Sequence, residues 1–386
     1  MRTGVLSLET RQVAAQGTGE QSSVVNPSRV KLPVEGDHFV AAPSAASVVE
    51  GAPALPVEQA VVQGTERFAS FWDLLATSRE PKVSTNDDDP FVRPSHLEAL
   101  ALSDFALDAS GKPQGLVGPQ VKVEEEDTIY KPDEGGQFVP FATNPYQPAH
   151  ANADGDFDFS KEPRFPKLDM KTGSDGKPVL DTEQRLIWQP LDVHIGQTTA
   201  FESLNTVRHT VEAWAGRALA WGNAGQIAVN PHAFVGFNAF FNPGDRGLYG
   251  GVVPYVIGKD KIIHLFEVTS SWEVVAHEGG HALHHELKPN IVRVPNEVNG
   301  FGTWGESFGD QVAMWTSLTD LNRVRELLSH TGGDLKKTSP LTAMGEVLAT
   351  LSGEGTGIRD AYQDKKISTT DAEIHERSEV LTGAAY

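Results

Sequence analysis

Hydrophobic positions fall into register only in the second half of this chain. From residue 198 to 221, Phe201, Leu204, Val207, Val211, Trp214, Ala218 and Trp221 recur every three or four positions, the apolar stripe of one long packed helix. Gly222-Asn223-Ala224-Gly225 is expected to stop it. Residues 227–229 and 236–241 then read as strands separated by Asn230-Pro231. Asn242-Pro243-Gly244-Asp245 reads as a turn, and residues 247–257 as a further strand pair. From Ser271 onward the pattern is mostly helical, with loop signals at Gly332-Gly333 and between Gly353 and Gly357.

The first half lacks such periodicity. Residues 1–65 are read as disordered or linker, because their apolar residues keep neither helical nor strand spacing for long. Residues 66–190 are read as a loop-rich extension of unknown role. A short helix at 68–75 is the exception, and Asn86-Asp87-Asp88-Asp89-Pro90 and Ser110-Gly111-Lys112-Pro113 break the pattern. The predicted organisation is α+β: a mixed lobe over 191–270 and a helical lobe over 271–386.

Composition narrows the chemistry. In 386 residues, 32 Lys and Arg stand against 52 Asp and Glu, a formal charge of −20, so the average surface repels phosphate backbones and nucleic acid is not an expected partner. Cysteine is absent, which removes disulfides, thiol nucleophiles and Cys-ligated metals, so any metal must be held by His and carboxylates. No apolar run reaches the ~18 residues of a membrane span, and Glu9 interrupts the N-terminus before a Sec-type leader can form. Two acid-dense stretches occur, at 124–127 and 152–158. The second alternates oxygen ligands as a Ca²⁺ loop would, but without EF-hand spacing or its terminal Glu, and it reads better as a solvated acidic loop.

The sharpest signal is His277-Glu278-Gly279-Gly280-His281, an H-E-x-x-H stretch inside a segment that reads as helix from Trp272 to Leu287. On a helix the two His lie one turn apart, about 6 Å, so both imidazoles can reach one tetrahedral ion. Glu278 points roughly 100° around the axis, which suits it to a water on the ion instead of to the ion itself. The alternative is a His-rich surface helix, since His284 and His285 follow. Two mid-helix glycines argue against it: each costs about 1 kcal/mol relative to Ala and is natural only where another backbone packs close. His285 is too far along the axis to share an ion with His277, by about 12 Å of rise.

A third ligand is available in Trp304-Gly305-Glu306-Ser307-Phe308-Gly309-Asp310. Glu306 and Asp310 are four apart and share a helical face. Glu306 would complete a His₂Glu zinc site with an open position, and Asp310 could accept a hydrogen bond from the free ring nitrogen of His277. Read alone, the pair is better taken as an N-terminal helical acid pair favoured by the dipole, and the upstream His pair turns the reading toward ligation.

These residues together resemble the thermolysin-like (M4-type) branch of the gluzincin zinc metallopeptidases. Besides H-E-x-x-H and E-x-x-x-D, Asn238-Ala239-Phe240-Phe241 is similar to the family's substrate-pairing edge strand, Glu273-Val274-Val275-Ala276 to its lead-in to the zinc helix, and His375 with Ser378 and the Ala384-Ala385-Tyr386 end to its V-H-x-x-S stretch. The resemblance covers about residues 198–386. It implies a two-lobe fold with the zinc helix between the lobes, and a secreted enzyme. It implies Zn²⁺ on His277, His281 and Glu306, with Glu278 as the base and His375 as an oxyanion donor. It further implies Asp310 and Asp371 as orienting acids and Asn238, Ala239 and Phe240 as substrate contacts. Arg359 would be the candidate for the family's substrate-carbonyl arginine.

The chain departs from that pattern in several places. Twenty-four residues separate His281 from Glu306, more than in thermolysin itself; no Tyr lies between them; Ca²⁺ ligands downstream of Glu306 are not evident; and the chain stops soon after the His375 segment. The expected activity is zinc-dependent cleavage of internal peptide bonds in a peptide or protein substrate. The alternatives are a gluzincin exopeptidase and an inactive zinc-bearing binding protein.

Overall fold

The computed structural model describes residues 105–113, 115–153, 157, 166–257, 262–287, 301–319, 324, 327–328, 331–336, 338–339, 341–345, 358–363, 365–370 and 374–386. The linker expected over 1–65, the short helix at 68–75, most of the acidic stretch at 152–158 and Asp371 lie outside the described residues.

In chain order the elements are β1 (Val121–Val123), β2 (Thr128–Pro132), β3 (Phe138–Thr143), β4 (Leu186–Ile187), α1 (Ile195–Ala215), β5 (Ile227–Val235), β6 (Ala239–Asn242), β7 (Gly247–Ile257), β8 (Ile262–Glu267), α2 (Trp272–Leu287), α3 (Phe301–Ser317), β9 (Ala343–Met344), β10 (Arg359–Asp360) and α4 (Ile374–Ala385). The class is α+β. Strands β1 to β8 form one mixed sheet in the order β4-β3-β2-β5-β7-β6, with β1 added on β5 and β8 on β7, while β9 and β10 form a separate ladder. No helix among the described residues is long and apolar enough to cross a membrane.

Residue 190 is therefore not a boundary of the sheet: β1 and β2 pair in parallel with β5, so the extension supplies strands to the lobe that follows it. Its turns are built by side chains with little need of a core. Between β2 and β3, Asp133 Oδ1 accepts the amides of Gly135 and Gln137 at 2.9 and 2.8 Å.

Helix α1 ends earlier than its apolar spacing predicts. Gly216 closes it in the left-handed conformation, φ 62°, and Trp214 is exposed. Trp221 still enters the core, fully buried, on the connection to β5. Strand β5 runs straight through Asn230-Pro231. The β5–β7 register shifts between Asn230 and Phe234, and a proline is tolerated where the ladder is already interrupted. The segment 247–257 is one long strand: its first half pairs with β6 and its second half with β8.

The helices pack on one face of this sheet. Phe201, Leu204 and Val207 of α1, Leu283 of α2 and Ala313 of α3 are fully buried with Leu248, and Phe241 is buried beside them. Alternation along β6 and β7 sends Phe240 and Tyr249 to the opposite face, where they join Phe138 and Phe234.

A buried charge network ties the extension to this frame. His232 on β5 is held on both ring nitrogens, by Glu125 Oε1 and Glu267 Oε1 at 2.7 Å each, and Tyr146 stacks on its ring. Glu267 also accepts the Gly196 amide at the start of α1, and Gln197 Nε2 donates to Glu125. Burial acts to lower the His232 pKa, but the two carboxylates outweigh it and lift the value to about 9.

A folded-state pKa above the unfolded value of about 6.5 gives stability that is present below pH 6.5 and is lost as pH rises through about 9. We expect the unfolding free energy to fall over this window by up to roughly 3 kcal/mol more in the wild type than in His232→Gln, which cannot carry the charge. Denaturant titrations at pH 6 and 9.5 check this; equal pH dependence in the two proteins would contradict it.

Candidate metal centre

Strand β8 leads through a short 3₁₀ turn, Val268–Ser270, into α2, so the helix that carries the H-E-x-x-H stretch begins where the sheet ends. Ser203 of α1 donates to the Trp272 carbonyl at 3.0 Å and fixes the first turn of α2. The two glycines of the motif serve different neighbours. A Cβ on Gly279 would lie 3.0 Å from Leu204 on α1; one on Gly280 would lie 2.7 Å from the Gly309 Cα on α3. The backbone approach expected from mid-helix glycines is thus present at Gly280, against α3, whereas Gly279 makes room for the Leu204 and Val207 side chains of α1.

That approach carries Glu306 and Asp310 onto the His pair. His277 Nε2 lies 3.2 Å from Glu306 Oε2, and His281 Nε2 lies 3.4 Å from Glu306 Oε1. Two ligands on a tetrahedral ion with bonds of 2.0–2.1 Å are about 3.3–3.4 Å apart, close to both of these His-to-carboxylate separations. Asp310 Oδ1 lies 2.9 Å from His277 Nδ1, which assigns that nitrogen a proton to donate and leaves the Nε2 lone pair of the neutral ring free to ligate a metal. Both imidazoles and the Glu306 carboxylate are largely buried.

Glu278 stands apart from this set in role. Its ligand atom is within 4.8 Å of those of both His residues, so by distance alone it is as near to an ion as they are. Its Oε2, however, accepts the Phe241 amide of strand β6 at 2.9 Å, and that bond holds the carboxylate across the opening between α2 and the sheet edge. We therefore take Glu306, which meets both Nε2 atoms, as the third ligand candidate.

Burial raises the Glu278 pKa, the two imidazoles and the Phe241 amide act against it, and the net shift is upward. The Glu306 carboxyl is the opposite case. Burial acts to raise its pKa, but His281, His277 and Arg359 hold it well below the ordinary carboxylate range.

The other expected residues divide. His375 on α4 joins the cluster, its Nε2 3.3 Å from Glu306 Oε2, with its side chain half exposed. Arg359, on β10, spans both acids of α3: its guanidinium donates to Asp310 Oδ1 at 2.6 Å and to Glu306 Oε2 at 3.1 Å. Asn238, Ala239 and Phe240 do not act alike. The Asn238 carbonyl accepts the Gly251 amide, so its main chain faces β7; by alternation Ala239 turns its amide and carbonyl to the free edge, and Phe240 turns its main chain back to β7. Of the three, only Ala239 can offer main-chain bonds to an added strand.

Thr382 is a participant that the sequence does not announce. It bonds both Asp310 Oδ2 and Ser307 Oγ at 3.1 Å and locks α4 to α3 beneath the site. Its only signal is position: His375, Ser378 and Thr382 fall on one face of α4.

Between α2 and the edge of β6 that is unpaired among the described residues lies a recess of about 80 Å³, open to solvent and lined by Ala239, Val274, His277, Glu278, Met344 and Ile358. No protein-family model matches the chain, and no curated protein matches it significantly.

The close packing gives a contrast to measure. A Cβ on Gly309 would lie 2.7 Å from the His277 ring, whereas one on Gly305 would have 3.7 Å to His284. Gly309→Ala should cost about 1–3 kcal/mol of stability through overpacking. Gly305→Ala should be neutral or stabilise by up to about 1 kcal/mol through helix propensity. Equal effects in chemical unfolding would contradict the packing described.

Proposed function

We propose that this chain is a zinc-dependent endopeptidase of the thermolysin-like gluzincin kind, with its cleft between the sheet-bearing lobe and the helical lobe. The observation that supports it best is the meeting of His277 Nε2, His281 Nε2 and the Glu306 carboxylate beside a separately held Glu278, with His277 and Glu278 lining a recess that Ala239 of β6 also borders.

In this reading His277, His281 and Glu306 hold the zinc. A bound Zn²⁺ supplies Lewis acidity toward a carbonyl oxygen and lowers the pKa of a coordinated water. Glu278 takes a proton from the attacking water and passes it to the leaving amine, a task that its raised pKa favours. Ala239 receives an extended substrate by adding a strand to β6, so main-chain bonds hold the peptide whatever its sequence. His375, at the rim of the cluster, donates to the charge that develops on the substrate carbonyl oxygen. Asp310 orients His277, and Arg359 neutralises Asp310 and steadies Glu306.

An internally quenched peptide blocked at both ends tests this. We expect the zinc-loaded protein to cleave it and a chelator to abolish cleavage. Glu278→Gln should bind zinc equally and lose about 10²-fold or more of turnover, the usual scale of a general base. Cleavage only of peptides with a free amine would identify an exopeptidase, and no cleavage of either would identify a binding protein.

A further inference from the structure

Arg359 enters the candidate metal centre from outside the two helices that carry the donors. Its strand, β10, pairs antiparallel with β9, and the next residue ties that strand down. Asp360 accepts the Tyr362 amide at 2.9 Å and the Thr338 hydroxyl at 2.5 Å, and its own amide donates to Glu379 of α4 at 3.3 Å. A separate scaffold thus delivers the guanidinium to the acids of α3, where the side chain is 16% exposed. Burial works against its charge, but Asp310 and Glu306 outweigh burial and push the pKa further up, so the guanidinium stays charged.

The two oxygens of Glu306 are unequally engaged. Oε1 lies 3.4 Å from His281 Nε2, whereas Oε2 meets His277 Nε2 at 3.2 Å, Arg359 Nη2 at 3.1 Å and His375 Nε2 at 3.3 Å. The packing of Gly280 against Gly309 already carries Glu306 to the His pair, so the carboxylate needs no arginine to reach its place. What Arg359 adds is a permanent positive charge on a candidate ligand. A cation within about 4–6 Å of a carboxylate lowers its proton affinity by one to three pKa units, roughly 10- to 10³-fold, and it opposes a metal cation on the same group in the same sense.

We propose that Arg359 is the resident counter-ion of the metal centre: it neutralises Glu306 and Asp310 when no metal is bound, and it holds zinc affinity below what the three donors alone would give. It acts on the metal through Glu306, not by contact. The inference rests on the reading of His277, His281 and Glu306 as ligands, and extends it from which residues hold the ion to how readily the ion is taken up and released.

The test compares wild type with Arg359→Gln and Arg359→Lys in the full-length protein. Zinc affinity is read by competition with a chromophoric chelator, and stability by thermal unfolding with and without zinc. Arg359→Gln should melt lower than wild type without metal, because two buried carboxylates lose their partner. It should bind zinc about tenfold or more tightly than wild type, and zinc should raise its melting temperature by more. Arg359→Lys keeps the charge and should stay within about threefold of wild-type affinity. Arg208→Gln, which removes a guanidinium paired with Glu212 on α1, should stay within about twofold. If Arg359→Gln folds only with zinc present, chelator capture should show zinc leaving it about tenfold or more slowly than wild type.

An Arg359→Gln variant that binds zinc no tighter than wild type, or releases it no more slowly, overturns the inference and leaves Arg359 a structural bridge. So does an Arg359→Lys variant that gains as much affinity as Arg359→Gln, since charge would then not be the cause. Wild type that takes up no zinc would defeat the metal-centre reading and this inference together, whereas zinc-binding wild type with unchanged affinity in Arg359→Gln would defeat this inference alone.

Discussion

The arrangement depends on how closely α2 and α3 approach. Gly280 and Gly309 face one another where a single added Cβ would come within 2.7 Å of the opposing helix, so the two backbones meet without intervening side chains. Only at that separation do short carboxylate side chains on α3 reach imidazoles on α2. Glu306 meets both Nε2 atoms, and Asp310, one turn on, meets the far nitrogen of His277. On the other side Gly279 admits the Leu204 and Val207 side chains of α1, so α2 is packed from two sides.

Such packing concentrates charge in poorly solvated surroundings, and the fold answers with paired compensation at two places. In the first, Arg359, reaching in from the β9–β10 ladder, bridges Glu306 and Asp310, while Thr382 occupies the other oxygen of Asp310. In the second, His232 sits between Glu125 and Glu267 and links the extension, the sheet and the start of α1. Neither cluster tolerates the loss of one partner, because a remaining buried charge is costly. Glu267 ends β8 only a few residues before α2 begins, so the His232 network and the candidate metal centre share one stretch of backbone.

What the sequence discloses follows from range. The limits of α2, the close backbone approach at Gly280 and the pairing of Glu306 with Asp310 are local facts of helical spacing, and they are legible. The end of α1 is not, because Trp214 and Ala218 continue the apolar spacing by chance beyond a left-handed Gly216. Pro231 reads as a strand break, and only the shifted β5–β7 register explains why it lies within a strand. Glu125 looks like part of a solvated acidic run, and its bond to His232 spans 107 positions that no periodicity connects. Arg359 rides on a two-residue strand without motif, and Asn238 and Ala239 look equivalent until the pairing with β7 shows which one faces outward.

The central claim is that three side chains from two helices form one divalent-metal site. Metal content per chain, measured after zinc loading and gel filtration in wild type and Glu306→Ala, tests it most directly. The account predicts one zinc per wild-type chain, and a loss of about 10²-fold or more in affinity when the carboxylate is removed, with the fold retained by far-ultraviolet circular dichroism. Wild-type protein that holds no zinc, or a Glu306→Ala variant that holds it as tightly, would contradict the account.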